Sequence, residues 1–163
     1  MMDGLSIANI LRNVLGKVFK GVFSYDEWRS IPQSSHPSAY VFNTQPHYVN
    51  VGHWVAIYIK RDGTSYFFDT FGRRPDALGF LKFLEKHSSK WRYNNIIVQN
   101  FFTAVCGQHS IYFLYKIHNA KTFSWMKNYS SDLLLNDRNI YQTVKSRFHV
   151  NTDFFSKCDF LSI

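Results

Sequence analysis

The stretch that most restricts the fold is residues 99–120, Gln-Asn-Phe-Phe-Thr-Ala-Val-Cys-Gly-Gln-His-Ser-Ile-Tyr-Phe-Leu-Tyr-Lys-Ile-His-Asn-Ala. Ile111, Leu114, Tyr115 and His118 share one helical face and Ser110, Phe113 and Ile117 fall beside it, so the segment predicts a helix apolar on most sides. A helix of that kind belongs in the middle of a fold. Thr103 stands where an N-cap is expected, which places Cys106 at the third helical position. Unpaired backbone amides and the positive end of the helix dipole favour a thiolate there. Cys106 is therefore a candidate nucleophile, with a buried structural cysteine as the competing reading.

A chain of 163 residues has room for one domain with a substantial core, and no internal repeat or low-complexity run divides it, so residues 1–163 are expected to form a single domain. The abundance of Phe and Tyr suits a compact aromatic interior and argues against disorder. No apolar run is long enough to cross a bilayer, and the N-terminal Met-Met-Asp-Gly is not the basic start of a secretory signal. A soluble intracellular protein with no membrane partner is expected. Two cysteines, Cys106 and Cys158, are too few for a disulfide scaffold or a metal set, which fits a reducing compartment. Nineteen Lys and Arg against eleven Asp and Glu leave a formal charge of +8, which points to an anionic partner, nucleic acid first. The basic residues are dispersed, and Trp91 and Tyr93 interleave with Lys90 and Arg92, a pattern that suits sequence-independent phosphate contacts. A merely soluble basic surface is the alternative.

Along the chain, apolar residues recur at helical spacing over residues 5–22, with Gly16 and Gly21 as candidate endpoints; Arg12, Lys17 and Lys20 would also suit a membrane surface, but packing against the domain is the preferred reading. Residues 25–46, with three prolines, predict mostly loop and one short strand at 39–43. An apolar strand opens at Gly52-His53-Trp54, turns at Arg61-Asp62-Gly63-Thr64, and returns to Asp69-Thr70-Phe71-Gly72. The loop length decides what this hairpin can do. A two-residue turn at Asp62-Gly63 pairs Ala56 with Asp69 and puts His53 and Asp69 on opposite faces. A three-residue loop, with Gly63 left-handed, pairs Val55 with Asp69 and makes His53 its diagonal neighbour. Residues 77–87 predict a second amphipathic helix with Leu78, Leu81, Phe83 and Leu84 inward, residues 96–98 a short buried strand, and residues 124–126, 133–135 and 140–144 further helical segments.

Cysteine, histidine and a carboxylate are the parts of a nucleophilic triad: the thiolate attacks a carbonyl, the imidazole carries the proton and the carboxylate orients the imidazole. They occur here in the order His53, Asp69, Cys106, unlike papain-like proteases, in which the cysteine comes first. Gln99 adds a side-chain amide able to join backbone N–H groups around an oxyanion. His109, three residues from Cys106, is a rival base, although packing or solvent exposure suits its position better.

These residues resemble the adenovirus-type maturation protease, adenain, within a wider group that includes the ubiquitin-like-protein proteases. The resemblance rests on Val41-Phe42-Asn43-Thr44 followed by Gly52-His53-Trp54, on Phe68-Asp69-Thr70-Phe71-Gly72, and on Gln99 seven residues before Cys106-Gly107. It implies an α+β fold, a central mixed sheet flanked by helices with the nucleophile at the N-terminus of a buried central helix. It implies His53 as general base and acid, Asp69 as its orienter, Cys106 as nucleophile, and Gln99 with the Cys106 amide as oxyanion donors. Asn43 and Trp54 match positions near the substrate cleft of that family. Asp69 stands where adenain has glutamate and the ubiquitin-like proteases have aspartate.

The function implied is a cysteine endopeptidase that trims capsid and core precursors of a DNA virus or virus-like element, at glycine-containing sites, in the virion and the host-cell nucleus. In adenoviruses such an enzyme binds viral DNA and carries a capsid-derived peptide through a disulfide. The charge here agrees with DNA as a candidate activator. A peptide activator remains a candidate too, but its disulfide is not supported, because no cysteine lies between Thr70 and Val98 and Cys158 does not match. No metal or small-molecule cofactor is implied, and a monomer is expected. The competing readings are a deubiquitinase or deSUMOylase acting on host conjugates, and a non-catalytic basic DNA-binding protein.

Overall fold

A strand buried on both faces organises the molecule. In the computed structural model, which describes residues 1–49, 51–120 and 122–149, β3 (Trp54–Ile59) carries six consecutive buried residues. Side chains alternate across a strand, so this run divides between two cores. Trp54, Ala56 and Tyr58 enter one with α1 (Gly4–Leu15), α3 (Cys106–Ala120) and α4 (Leu133–Arg147). Val55, Ile57 and Ile59 enter the other with α2 (Phe80–His87) and the 3₁₀ turn Tyr25–Ser30. A continuous apolar run is what such a central strand requires.

The remaining strands are β1 (Phe19–Ser24), β2 (Ser38–Asn43), β4 (Thr64–Phe68) and β5 (Lys90–Tyr93), and the sheet order is β1-β2-β3-β4-β5. The two outer pairings, β1 with β2 and β4 with β5, are parallel, and the two inner ones are antiparallel. The fold is α+β, a mixed sheet with helices on both faces. Pairing of Ala56 with Phe68 and of Ile59 with Ser65 leaves Arg61, Asp62 and Gly63 as a three-residue loop. Lys60 and Thr64 close it through a 2.8 Å backbone bond, Asp62 accepts from the Thr64 amide, and Gly63 takes φ +82°. This is the loop that brings His53 and Asp69 to one face.

Several elements differ from the sequence reading. The helix expected over 5–22 ends at Leu15, because Gly16 takes φ +54° and its amide caps the Arg12 carbonyl. Residues 19–24 then form β1, and Leu5, expected inward, is exposed. Leu78 has φ +57° and lies outside α2, whose buried face is Phe80, Phe83, Leu84 and His87. The strand expected at 96–98 lies instead at Lys90–Tyr93, while Ile96 and Ile97 project outward. The helical segments around 133–144 are one helix, capped by Asp132 on the Leu135 amide. Cys158 and the tail from residue 150 lie outside the described residues.

Candidate active site

The hairpin delivers two of the candidate residues to the end of the sheet where β3 begins and β4 ends. His53 Nε2 lies 2.7 Å from Asp69 Oδ1. The backbone around His53 is fixed by the Thr44 amide donating to its carbonyl at 2.8 Å. Gly52 has no room for a side chain, since a Cβ would fall on the Asn43 side chain, which gives the Gly-His pair a steric reason. Gly72, at φ +66°, closes the turn after Asp69 through its amide bond to the Asp69 carbonyl, and a Cβ there would press on the Ile96 backbone at 2.9 Å.

Asp69 is buried and fully engaged. Oδ1 accepts from His53 and from the Phe71 amide at 2.9 Å, and Oδ2 accepts from Arg73 Nε at 2.9 Å. Its backbone is held on both sides by Asn94, whose Oδ1 accepts the Asp69 amide and whose Nδ2 donates to the Asp69 carbonyl. Burial would push the carboxyl up, but His53, the Phe71 amide and Arg73 outweigh it and hold the group below its ordinary value, so it is ionised. Burial likewise opposes a charge on His53. Hydrogen bonds and charge from Asp69 and Cys106 overcome it and push the imidazole up to about 9. With Nε2 committed to Asp69, Nδ1 is the ring atom left for Cys106.

Cys106 is the first residue of α3, not the third, and is 3 % exposed. The first intrahelical bond runs from the His109 amide to Val105, so Val105 occupies the cap position expected for Thr103. The Thr103 hydroxyl is drawn elsewhere, 2.7 Å from Asp137 Oδ2 on α4 and 2.9 Å from the Asn100 carbonyl. At the helix start the Cys106 amide has no intrahelical carbonyl and is open to a ligand. Gly107 lets this end of α3 sit down on α1 and Trp54, where a Cβ would approach Ile7 and Met2 at 3.2 Å.

Gln99 is buried and its amide is oriented: Oε1 accepts from the Thr70 hydroxyl at 2.7 Å, and Nε2 donates to the Thr103 carbonyl at 2.9 Å. Nε2 also lies 3.4 Å from the Thr103 hydroxyl, a longer contact than the carbonyl bond. Asp137 organises the loop between Gln99 and Cys106, accepting from the Asn100 amide, the Thr103 hydroxyl and, through Oδ1, His109 Nε2 at 2.9 Å. His109 is completely buried, and burial holds it low and therefore neutral despite Asp137. It packs as a structural residue and offers no base to Cys106.

Asn43 and Trp54 are cross-strand partners. Each is 4 % exposed, with the indole N–H donating to the Met2 carbonyl at 3.0 Å and Asn43 Oδ1 accepting from Gln45. They edge a shallow groove beside the N-terminus of α1, with Leu5, Phe23, Ser24 and His47 on its other sides, so they contribute a rim with little side-chain area. Arg73, Asn94 and Asp137 were not singled out by the sequence reading. The signal for Arg73 was its place four residues after Asp69 in a Gly-closed turn; Asn94 and Asp137 act across 25 and 28 or more residues and left no local signal. Among the described residues no cluster of His, Cys, Asp or Glu is arranged to hold a metal ion, and no helix is long and apolar enough to cross a membrane.

Comparison with solved structures bears on the fold. The chain is similar to the ASFV pS273R protease with a TM-score of 0.62 and 16 % identity, over 93 % of this chain and 69 % of that one. The chain shares the α+β fold of that protease. The likeness is one of fold and does not single out adenain. The central domain of the uncharacterized Lpg1148 protein from Legionella pneumophila also aligns, at a TM-score of 0.49 and 11 % identity over 96 % of this chain and 99 % of that domain. No family model and no curated protein matches the sequence.

Proposed function

We propose that the chain is a cysteine endopeptidase in which Cys106 is the nucleophile, His53 the acid and base, Asp69 its orienter and Gln99 an oxyanion donor. The observation that carries this reading is His53 engaged on one side by Asp69 and on the other by Cys106, at the first turn of the buried helix of a cysteine-protease fold. The Cys106 thiolate adds to the scissile carbonyl, and the oxyanion is met by the Cys106 amide and the Gln99 amide. The His53 imidazolium gives its proton to the departing amine as the C–N bond breaks, leaving a thioester. Neutral His53 then takes a proton from water, which attacks the thioester and releases the acid and the thiolate.

The finer reading is adenain-like: a single-domain monomer cutting capsid or core precursors after small residues in the virion and the infected nucleus, with DNA as activator. It is supported by the Gly-His-Trp, Phe-Asp-x-Phe-Gly and Gln-x6-Cys-Gly set and by the charge of +8. Two experiments test it. Purified protein is treated with a thiol-directed electrophile, with and without double-stranded DNA, and the modified residue is mapped by mass spectrometry. Selective labelling of Cys106 over Cys158, lost in His53→Ala, is expected. Equal labelling of both cysteines in both proteins would overturn the triad. A panel of glycine-containing precursor peptides against ubiquitin-like fusions then separates particle maturation from deconjugation, with Cys106→Ala as the inactive control.

A further inference from the structure

The His53 ring does not face solvent alone. Phe71 stacks on it at 4.7 Å with planes 24° apart, and Phe101, from the loop between Gln99 and Cys106, stacks in turn with Phe71 at 5.0 Å and 10°. Phe101 is 62 % exposed and its neighbour Phe102 is 77 % exposed, while Ile96, whose backbone lies against Gly72, is also open. Three nearly parallel rings thus lead from the imidazole into water. Both phenylalanines are anchored in the proposed machinery, Phe71 by its amide bond to Asp69 Oδ1 and Phe101 by the loop that Asp137 pins. An exposed phenylalanine held in a fixed place beside a reactive group points to a ligand that covers it.

The chemistry says which part of a substrate that is. His53 must pass its proton to the departing amine, so the nitrogen after the scissile bond comes within hydrogen-bond reach of the imidazole. The side chain on that same residue is then carried toward the rings stacked on His53. We infer that Phe71 and Phe101 form the subsite for the first residue after the cut and select an apolar side chain there, best an aromatic one. This inference rests on the protease reading and deepens it, from an endopeptidase to one with a leaving-group preference. Phe71 has a second consequence in the same place, covering the His53–Asp69 hydrogen bond from water and so strengthening it.

The test uses peptides identical except at the first residue after the cut, which is Gly, Asp, Leu or Phe, with products identified by mass spectrometry. For the wild type, kcat/KM with Phe or Leu exceeds that with Gly about tenfold and that with Asp by more. In Phe101→Ala the Phe-to-Gly ratio falls toward one, and Phe101→Leu restores part of it. A flat series in the wild type, or a ratio unchanged in Phe101→Ala, overturns the subsite while the protease reading stands. No cleavage of any peptide, together with an unlabelled Cys106, overturns both.

Discussion

At the scale of single residues, the site is an exercise in keeping a charge where burial opposes it. Asp69 is ionised because three donors converge on its two oxygens, and His53 is protonated to about 9 because Asp69 and Cys106 outweigh desolvation. As pH rises through about 9 the imidazolium needed by the leaving amine is lost, so kcat/KM is expected to fall with a midpoint near there. Asp69→Asn keeps the shape but removes the charge; the alkaline limb should move toward the ordinary histidine value near 6.5 and kcat should drop on the order of 10²–10⁴-fold. Stability follows the same signs. The raised His53 contributes stabilisation that is complete below 6.5 and lost as pH rises through 9. The lowered Asp69 contributes stabilisation that is present above its ordinary value and lost as pH falls through its depressed one. Arg73→Ala removes the partner of Asp69 Oδ2. Because the Arg73 side chain is 59 % exposed, the cost is about 1 kcal/mol or less, and a two- to fivefold loss of kcat/KM measured at low salt is expected.

Elements meet at this site through Asp137, which joins α4 to α3 and to the loop carrying Gln99. Asp137→Ala would leave the Asn100 amide and buried His109 Nε2 without their acceptor, and the Thr103 hydroxyl with the Asn100 carbonyl alone. A loss of about 3–5 kcal/mol in urea unfolding is expected, with Asp137→Asn retaining part of it. The hairpin was legible because alternation and the Asp62-Gly63 turn signal are local, but the choice between a two- and a three-residue loop was not, and the observed pairing of Ala56 with Phe68 decides it. The helix that begins at Cys106 was legible because its apolar faces recur within one turn. The start of that helix was not, since the Thr103 hydroxyl is claimed by Asp137, a residue 34 positions away. Residues 14–22 space their apolar side chains as a helix would, and only Gly16 turning left-handed converts the second half into β1. Strand β5 hid because an edge strand with Lys90 and Arg92 outward looks like a basic surface patch, whereas exposed Ile96 and Ile97 look like a core. The candidate site residues carried their own pattern, but the groups that hold them did not.

For the whole molecule, two cores clamp one strand, and rigidity should fall off from it. The amides of β3 are expected to exchange hydrogen only through global unfolding, while β5, partly exposed at the sheet edge, exchanges through local opening; native-state hydrogen exchange against urea separates the two. The proposed DNA contact is also a property of the whole surface. If Lys90 and Arg92 each meet a phosphate, Lys90→Gln with Arg92→Gln should weaken binding and flatten the log–log salt dependence by about two, read by fluorescence anisotropy. A final consequence concerns inheritance. Surface loops ordinarily drift in length among descendants of a gene, because an added residue costs little. The Arg61–Gly63 loop has less of that liberty, since Lys60 and Thr64 close it directly and the buried strands hold their register, so a residue added there must be bulged out. Selection on the chemistry would therefore bear on the length of a loop at the opposite end of the hairpin from His53 and Asp69.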